Sequence, residues 1–303
     1  MDFTTTELIA SLKSKCQIPT SQNTFQNSDF LRFFNDEIKD FIVPLILKNK
    51  NNYLVKYGDT TVGTTTAFPI NTRAIAAKLK DVQRVSASGK QYSLPLIELE
   101  DIEDYNNLTS SSIEGFYILN NTIKVIGNIN TTDSLRQYFW RKPNELIMQS
   151  SSALISAVNT TTKIVTVTSV PSTIISGSVI DISKATQHFD PLLDDATITA
   201  LSGTSITLDS LPSTVAAGDW LCLAKQGPVP QIPEEYHTLL VMRVAAQVLS
   251  ALGDYKGSNN KLQLAKDIEN ELTGTFSDRV TGEPRKIKNK NNLGIKSCFY
   301  RGW

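Results

Sequence analysis

The chain has 303 residues, 40% of them hydrophobic and 20% charged, a balance that excludes an intrinsically disordered protein. Thirty basic and thirty acidic side chains cancel, so no overall field draws the chain to nucleic acid or to an anionic membrane. The opening MDFTTTELIASLKSKC lacks the basic start and apolar run of a secretory signal, and no stretch approaches the ~18 apolar residues of a membrane span, so synthesis and assembly are expected in a cytoplasm.

In chain order, Thr4 to Glu7 has the pattern of a capping box and opens a helix carrying Leu8, Ile9 and Leu12 on one face. After a linker around CQIPTSQNTFQN, Asn27 or Ser28 caps a second helix. Its broad apolar stripe runs from Phe30 and Leu31 through Phe34, Ile38 and Phe41 to Leu45 and Ile46, kinked or interrupted at Pro44. From about Tyr53 the composition turns to Thr, Ser, Asn, Val and Ile in short alternating runs such as YLVKY and LRQYFWRK, which read as strands. YILNNTIKVI reads as a hairpin turning at Asn120-Asn121, a pair that tolerates positive φ. The acidic run Glu98, Glu100, Asp101, Glu103 and Asp104 reads as a solvated loop, because it has no glycine and no regular ligand spacing of a calcium loop.

An internal repeat follows. ISAVNTTTKIVTVTSVPSTIISGSVIDISK, residues 155–184, matches ITALSGTSITLDSLPSTVAAGDWLCLAK, residues 198–225, as strand, polar turn, strand, Pro-Ser-Thr, glycine turn and strand. Two such copies predict a duplicated three-stranded unit packed as a small barrel or sandwich. Next, IPEEYHTLLVMRVAAQVLSALGD, residues 232–254, predicts a helix that starts near Pro233 and closes at Gly253. Its only polar side chains after Thr238 are Arg243, Gln247 and Ser250, spaced i, i+4, i+7 as one thin stripe, while residues such as Val244 and Val248 cover the rest. A further helix, NNKLQLAKDIENELTG, offers Leu262, Leu264, Ala265, Ile268 and Leu272. The expected fold is therefore α+β: a helical bundle of N- and C-terminal helices around a large inserted β-rich region with the duplicated unit, plus an extended C-terminal arm. The expected divisions are 1–60 and 227–275 for the bundle, 61–150 for a β-rich region, 151–226 for the repeat and 276–303 for the arm.

Signatures of chemistry are sparse. Neither His188 nor His237 neighbours a nucleophile motif, although Asp190, Asp194 and Asp195 lie near His188. There is no P-loop and no GxGxxG, and Cys16, Cys222 and Cys298 form neither a disulfide framework nor a zinc pattern. No enzymatic role, metal or cofactor is expected. The four Asn-x-Ser/Thr sequons, at Asn107, Asn120, Asn130 and Asn159, are those expected by chance in so Asn- and Thr-rich a chain.

The last segment, RVTGEPRKIKNKNNLGIKSCFYRGW, carries seven basic residues to one acidic and ends in aromatics. With Arg285, Lys286, Lys288, Lys290 and Lys296 leading to Phe299, Tyr300 and Trp303, it reads as a docking arm, since each aromatic contributes roughly 1.5–3 kcal/mol when buried on a partner. A nucleic-acid arm is the lesser reading, because the aromatics follow the charges instead of alternating with them.

The opening TTTELIASLKSKCQIPTSQNTFQNSDFLRFFNDEIKDFIVPLILKNKNNYLV, the pair VNTTTKIVTVTSVPST, and PQIPEEYHTLLVMRVAAQVLSALGD followed by a charged helix and DRVTGEPRK resemble the head-tail adaptor (connector or neck ring) proteins of tailed bacteriophages. That resemblance implies a ring, usually dodecameric, in the virion neck beneath the portal protein. It also implies C-terminal segments inserted between portal subunits, downstream tail or neck proteins as further partners, and transient contact with passing double-stranded DNA. It further implies that Arg243, Gln247, Val244 and Val248 meet a neighbouring copy or the bundle interior. The alternative function is a tail or surface protein whose β module binds a carbohydrate or receptor.

Overall fold

In the computed structural model of the protein, residues 4–19, 24–49, 52–102, 113–127, 130–185 and 191–275 are described. Helix α1 (Thr5–Cys16) begins at a capping box, with the Thr4 N–H donating to Glu7 Oε2 at 2.9 Å and the Glu7 N–H to Thr4 Oγ1. Helix α2 (Asn27–Glu37) is capped one residue before the expected position, the Gln26 N–H donating to Asp29 Oδ2. Pro44 does not end this helix. A π-helical turn, Ile38–Ile42, precedes it, with the Val43 N–H donating to Ile38 O five residues back, and the chain continues as α3 (Val43–Lys48). The wider turn gives the proline ring room against the backbone behind it.

The strands that follow are β1 (Val55–Thr61), β2 (Ala67–Pro69), β3 (Ala74–Val85), β4 (Gln91–Ser93), β5 (Ile113–Leu119), β6 (Thr122–Gly127), β7 (Ser134–Arg141) and the short β8 (Glu145–Leu146). The first seven form a four-stranded sheet in the order β1-β7-β3-β4 and a three-stranded sheet in the order β2-β6-β5. Along β7 every second side chain, Leu135, Gln137, Phe139 and Arg141, is buried. Val82 and Leu135 of the larger sheet share a core with Phe68, Phe116 and Ile123 of the smaller. Asn120 (φ 51°) and Asn121 (φ 56°) make the β5–β6 turn. Two consecutive left-handed residues are the backbone of a type I′ turn, so Asn121→Val is expected to cost about 1–2 kcal/mol and Asn121→Gly to be tolerated, as read by urea unfolding midpoints.

Six further strands, β9 (Ala153–Asn159), β10 (Ile164–Val167), β11 (Val179–Ser183), β12 (Pro191–Ser202), β13 (Ser205–Leu208) and β14 (Trp220–Leu223), close into a barrel in the order β10-β13-β12-β11-β14-β9. The first three belong to one copy of the repeat and the last three to the other. The third strand of each copy pairs with the first strand of the other, β11 with β12 and β14 with β9. Even the glycine turns are reciprocal, the Gly177 N–H donating to Ile198 O and the Gly218 N–H to Ile155 O, both at 2.8 Å. Equivalent side chains, Ala153 and Ala196, Ile155 and Ile198, Val165 and Ile206, Ile174 and Val215, fill one core. Neither copy can close a sheet by itself, so the duplication is a condition of the barrel.

A two-residue strand, β15 (Gln226–Gly227), runs parallel to β8 and leads to α4 (Glu235–Ala251) and α5 (Tyr255–Thr275). Gly253, at φ +86°, closes the α4 end. Helix α4 packs against α1, α2 and α5. On α5, Ala265 and Leu272 are buried and Ile268 partly so, whereas Leu262 and Leu264, which the sequence offered along with them, are exposed.

The expected bundle of terminal helices carrying an inserted β region is overturned. Strands hold 35% against 32% in helices, the described residues form only four helices when α2, the π turn and α3 are counted as one, and a closed six-stranded barrel is a principal body of the fold. The physical reason is that each β segment carries an apolar face of its own and builds its own core. The helices do not bury themselves on one another alone either: Leu54, Leu146, Trp140 and Met148 from the β segments share their core.

Candidate interaction site

Three features meet where the sheet, the barrel and the helices join. The first is a buried polar junction. Arg73, just before β3, lays its guanidinium between Asp181 of β11 and Asp195 of β12, with bonds of 2.7 and 2.9 Å to the first and 2.6 and 3.0 Å to the second. Arg141, at the end of β7, forks onto Asp194 at 2.6 and 2.9 Å. Asn144 Oδ1 accepts from both arginines at 3.0 and 2.9 Å, and its amide donates to Asp181 at 2.7 Å. Gln231, in the approach to α4, accepts from the Arg141 guanidinium at 2.5 Å and donates to Ser183 Oγ at 3.2 Å. Asp181 is wholly buried, and it also accepts from the backbone N–H groups of Asp195 and Lys225 at 3.0 and 2.8 Å.

A β-bulge makes this geometry possible. Ile180 pairs with Ala196 and Ile182 with Leu193, so Asp194 and Asp195 together face the single residue Asp181. Asp195 sits at φ +56°. Consecutive strand residues normally point to opposite faces, and the bulge turns both carboxylates toward the two arginines. In the other copy of the repeat the position of Asp181 is Cys222, so the junction exists on only one side of the barrel.

Burial works against the Arg73 charge, but hydrogen bonds to Asp195 and then Asp181 outweigh it and hold the guanidinium protonated above its ordinary range. The hydrogen bond from Arg73 is also the main cause that holds the Asp195 carboxyl below its ordinary value, against the opposing effect of burial. A carboxyl depressed by folding binds fewer protons folded than unfolded, so its stabilisation is present above the ordinary carboxyl pKa and is lost as pH falls through the depressed folded value. Asp195→Asn is therefore expected to lower the urea midpoint at neutral pH and to flatten its fall below about pH 4.

The second feature joins α2 to α4. Glu37, 4% exposed, accepts from Arg243 Nε and Gln247 Nε2, and the Arg243 guanidinium lies 3.3 Å from the Phe41 ring centroid. Arg243 is half-buried and Gln247 exposed, while Val244 and Val248 are wholly buried in this chain's own core. The thin polar stripe of α4 is thus occupied by a glutamate from the same subunit.

The third feature is a groove between α2, the π turn and α3 on one side and residues 72–76 and 142–148 on the other. One part encloses about 550 Å³ and the next about 560 Å³, and they share Asn35, Asp36 and Glu145. Asn35 seals the floor by exchanging two hydrogen bonds with the Leu146 backbone, at 3.0 and 2.7 Å. Lys39, Lys142 and Lys225 line the first part and Arg32 the second; all four are exposed, and within the described residues none forms an ion pair.

Of the residues singled out from the sequence, Arg243, Gln247, Val244 and Val248 come together on α4. Asp194 and Asp195 are arginine partners, and His237 is buried in the first turn of α4. His188, Asp190, Glu103, Asp104 and Cys298 lie outside the described residues, as does the whole arm with Arg285, Lys286, Lys288, Lys290, Lys296, Phe299, Tyr300 and Trp303. Glu98, Glu100 and Asp101 are exposed, and Cys16 and Cys222 are buried free thiols. Among the described residues no group of three or more His, Cys, Asp and Glu side chains is arranged to hold a metal, and no helix is long and apolar enough to cross a membrane. Sequence reading missed Arg73, Arg141, Asn144, Asp181 and Gln231. The one signal for them was the mismatch between repeat copies, where VIDIS places an aspartate against the cysteine of WLCLA. No protein-family model matches the chain, and no curated protein matches it in sequence.

Proposed function

We propose that the protein is a structural head-to-tail adaptor of a tailed phage virion: a ring of copies under the portal that links capsid to tail and lets the genome pass. The observation that carries this reading is the assembly of the segments bearing the resemblance. Those of α1, α2 to α3 and α4 are distant in the chain, Cys16 of α1 meeting the Ala245 carbonyl of α4 across 229 residues, and share one hydrophobic core, so they form one physical unit. The junction of Arg73, Arg141 and the three aspartates supports it as well, because it ties that unit, the sheet and the barrel into a stiff body suited to bearing load. In a closed ring each weak portal contact is repeated by every subunit, and avidity multiplies it. The balanced charge suits a passage that must not hold its DNA.

The test is mass photometry of the full-length protein, and of a form ending at Ser277, with and without the portal protein of the same virion. The full-length protein is expected to join the portal as a ring and the truncated form to lose that association. Failure of the full-length protein to join the portal overturns the adaptor reading. Equal binding by the truncated form overturns the arm's docking role.

A further inference from the structure

We propose that the charged groove beside α2 is one half of the contact between neighbouring copies, and that its occupant is the acidic segment after β4 of the next copy. This deepens the adaptor reading and rests on its premise that copies form a ring.

The groove follows α2 and the π turn from Ser28 to Val43, roughly 22 Å at about 1.5 Å per helical residue. The acidic segment fills part of that length: Leu96 to Glu98 are extended at ~3.3 Å each, and Leu99–Asp101 winds into a 3-10 turn at about 2.0 Å each. Besides Arg73, which is held by Asp181 and Asp195, its walls carry Arg32, Lys39, Lys142 and Lys225 against Asp36 and Glu145, and among the described residues none of these four cations forms an ion pair, Lys225 acting on Asp195 only at longer range. Apolar surface is available between them at Ile75 and Met148.

The complementary surface is on the same chain. Residues Leu96 to Asp101 present Glu98, Glu100 and Asp101 to solvent, with Leu96, 62% exposed, before the acids and Leu99, 57% exposed, between them. Two exposed leucines beside three carboxylates that form no ion pair among the described residues match a groove that offers cations along its walls and apolar patches between them. Within one copy the groove borders the start of β3 at Ala76, whereas the acidic segment is joined to β5 of the other sheet, Leu96 bridging to Phe116 and the Ile97 N–H donating to Phe116 O at 2.8 Å. A groove and an occupant at different places on one chain make a head-to-tail contact, the type that propagates from copy to copy and closes into a ring.

The test uses charge reversal in the full-length protein, with circular dichroism and melting temperature confirming that each variant folds. One variant carries Lys142→Glu and Lys225→Glu; the other carries Glu98→Lys, Glu100→Lys and Asp101→Lys. Sedimentation velocity is expected to show wild-type self-association, weakened at least roughly 100-fold in each variant alone, since like charges brought together across an interface cost several kcal/mol. An equimolar mixture of the two is expected to reassociate, each reversed groove accepting the other variant's reversed segment. A wild-type protein that stays monomeric at its highest soluble concentration overturns the contact. So do variants that assemble like wild type, or a mixture that fails to assemble. Portal binding is measured separately on the same samples. Unaffected rings that join the portal sink the contact and leave the adaptor reading standing, whereas reversal-sensitive rings that ignore the portal do the opposite.

Discussion

Replacing Arg73 by alanine is expected to lower the unfolding free energy by about 3–5 kcal/mol, because it strips a buried carboxylate of its counter-ion. Asp181 decides the size of the effect. Its side chain is 0% exposed, against 45% for Asp195, so only Asp181 has no water to turn to when the guanidinium is gone. Asn144 and two backbone N–H groups would still donate to it, but none carries a charge. Arg73→Lys is expected to recover little, since one ammonium cannot reproduce four bonds made by a planar fork to two carboxylates. Urea unfolding followed by circular dichroism gives the number. A loss under about 1 kcal/mol for Arg73→Ala would mean that the junction is solvated and contributes no more than a surface ion pair.

The second large effect lies in the barrel. Ile155→Ala and Ile198→Ala are each expected to cost about 2–5 kcal/mol, the range for truncating a buried isoleucine, and to cost nearly the same, because the two occupy equivalent positions in one core. The more telling readout is hydrogen exchange. Since β11 pairs with β12 and β14 with β9, opening either copy removes the pairing partner of the other. Ile155→Ala is therefore expected to speed exchange in β13, in the opposite copy, as much as in β10, in its own. Protection of the opposite copy left at its wild-type level would show that the two units fold independently, against the exchanged pairing.

Local features were legible where the chemistry is local. The Thr4 to Glu7 cap, the Asn120-Asn121 turn and the closing glycine of α4 each depend on residues within a few positions of one another, and each is found in the structure. The polar stripe of α4 was legible for the same reason, because Arg243, Gln247 and Ser250 fall on one face at helical spacing. Its partner was not. Glu37 lies 206 residues before Arg243, and no period in either helix ties one to the other. Arg73 and Asp181 are likewise 108 residues apart. Asp194 and Asp195 were visible as carboxylates, but adjacent residues in a regular strand face opposite ways, and only a bulge read from strand pairing brings them together. The expected bundle failed on the same ground, since periodicity marks a helix as wanting a partner without saying whether that partner is helix or sheet.

Residues close in the chain and backbone preference were enough for the helices of both ends, the Asn120-Asn121 turn, the strand segments of the repeat and the apolar faces of α1, α2 and α4. Tertiary structure decided the rest: that the repeat copies exchange strands, that Leu146 and Trp140 join the core of the helices, and that Arg73 and Arg141 meet three aspartates across the barrel. The physical reason is that burial and ion pairing are satisfied by whichever surface arrives with the right shape and charge, and which one arrives depends on the whole chain closing at once.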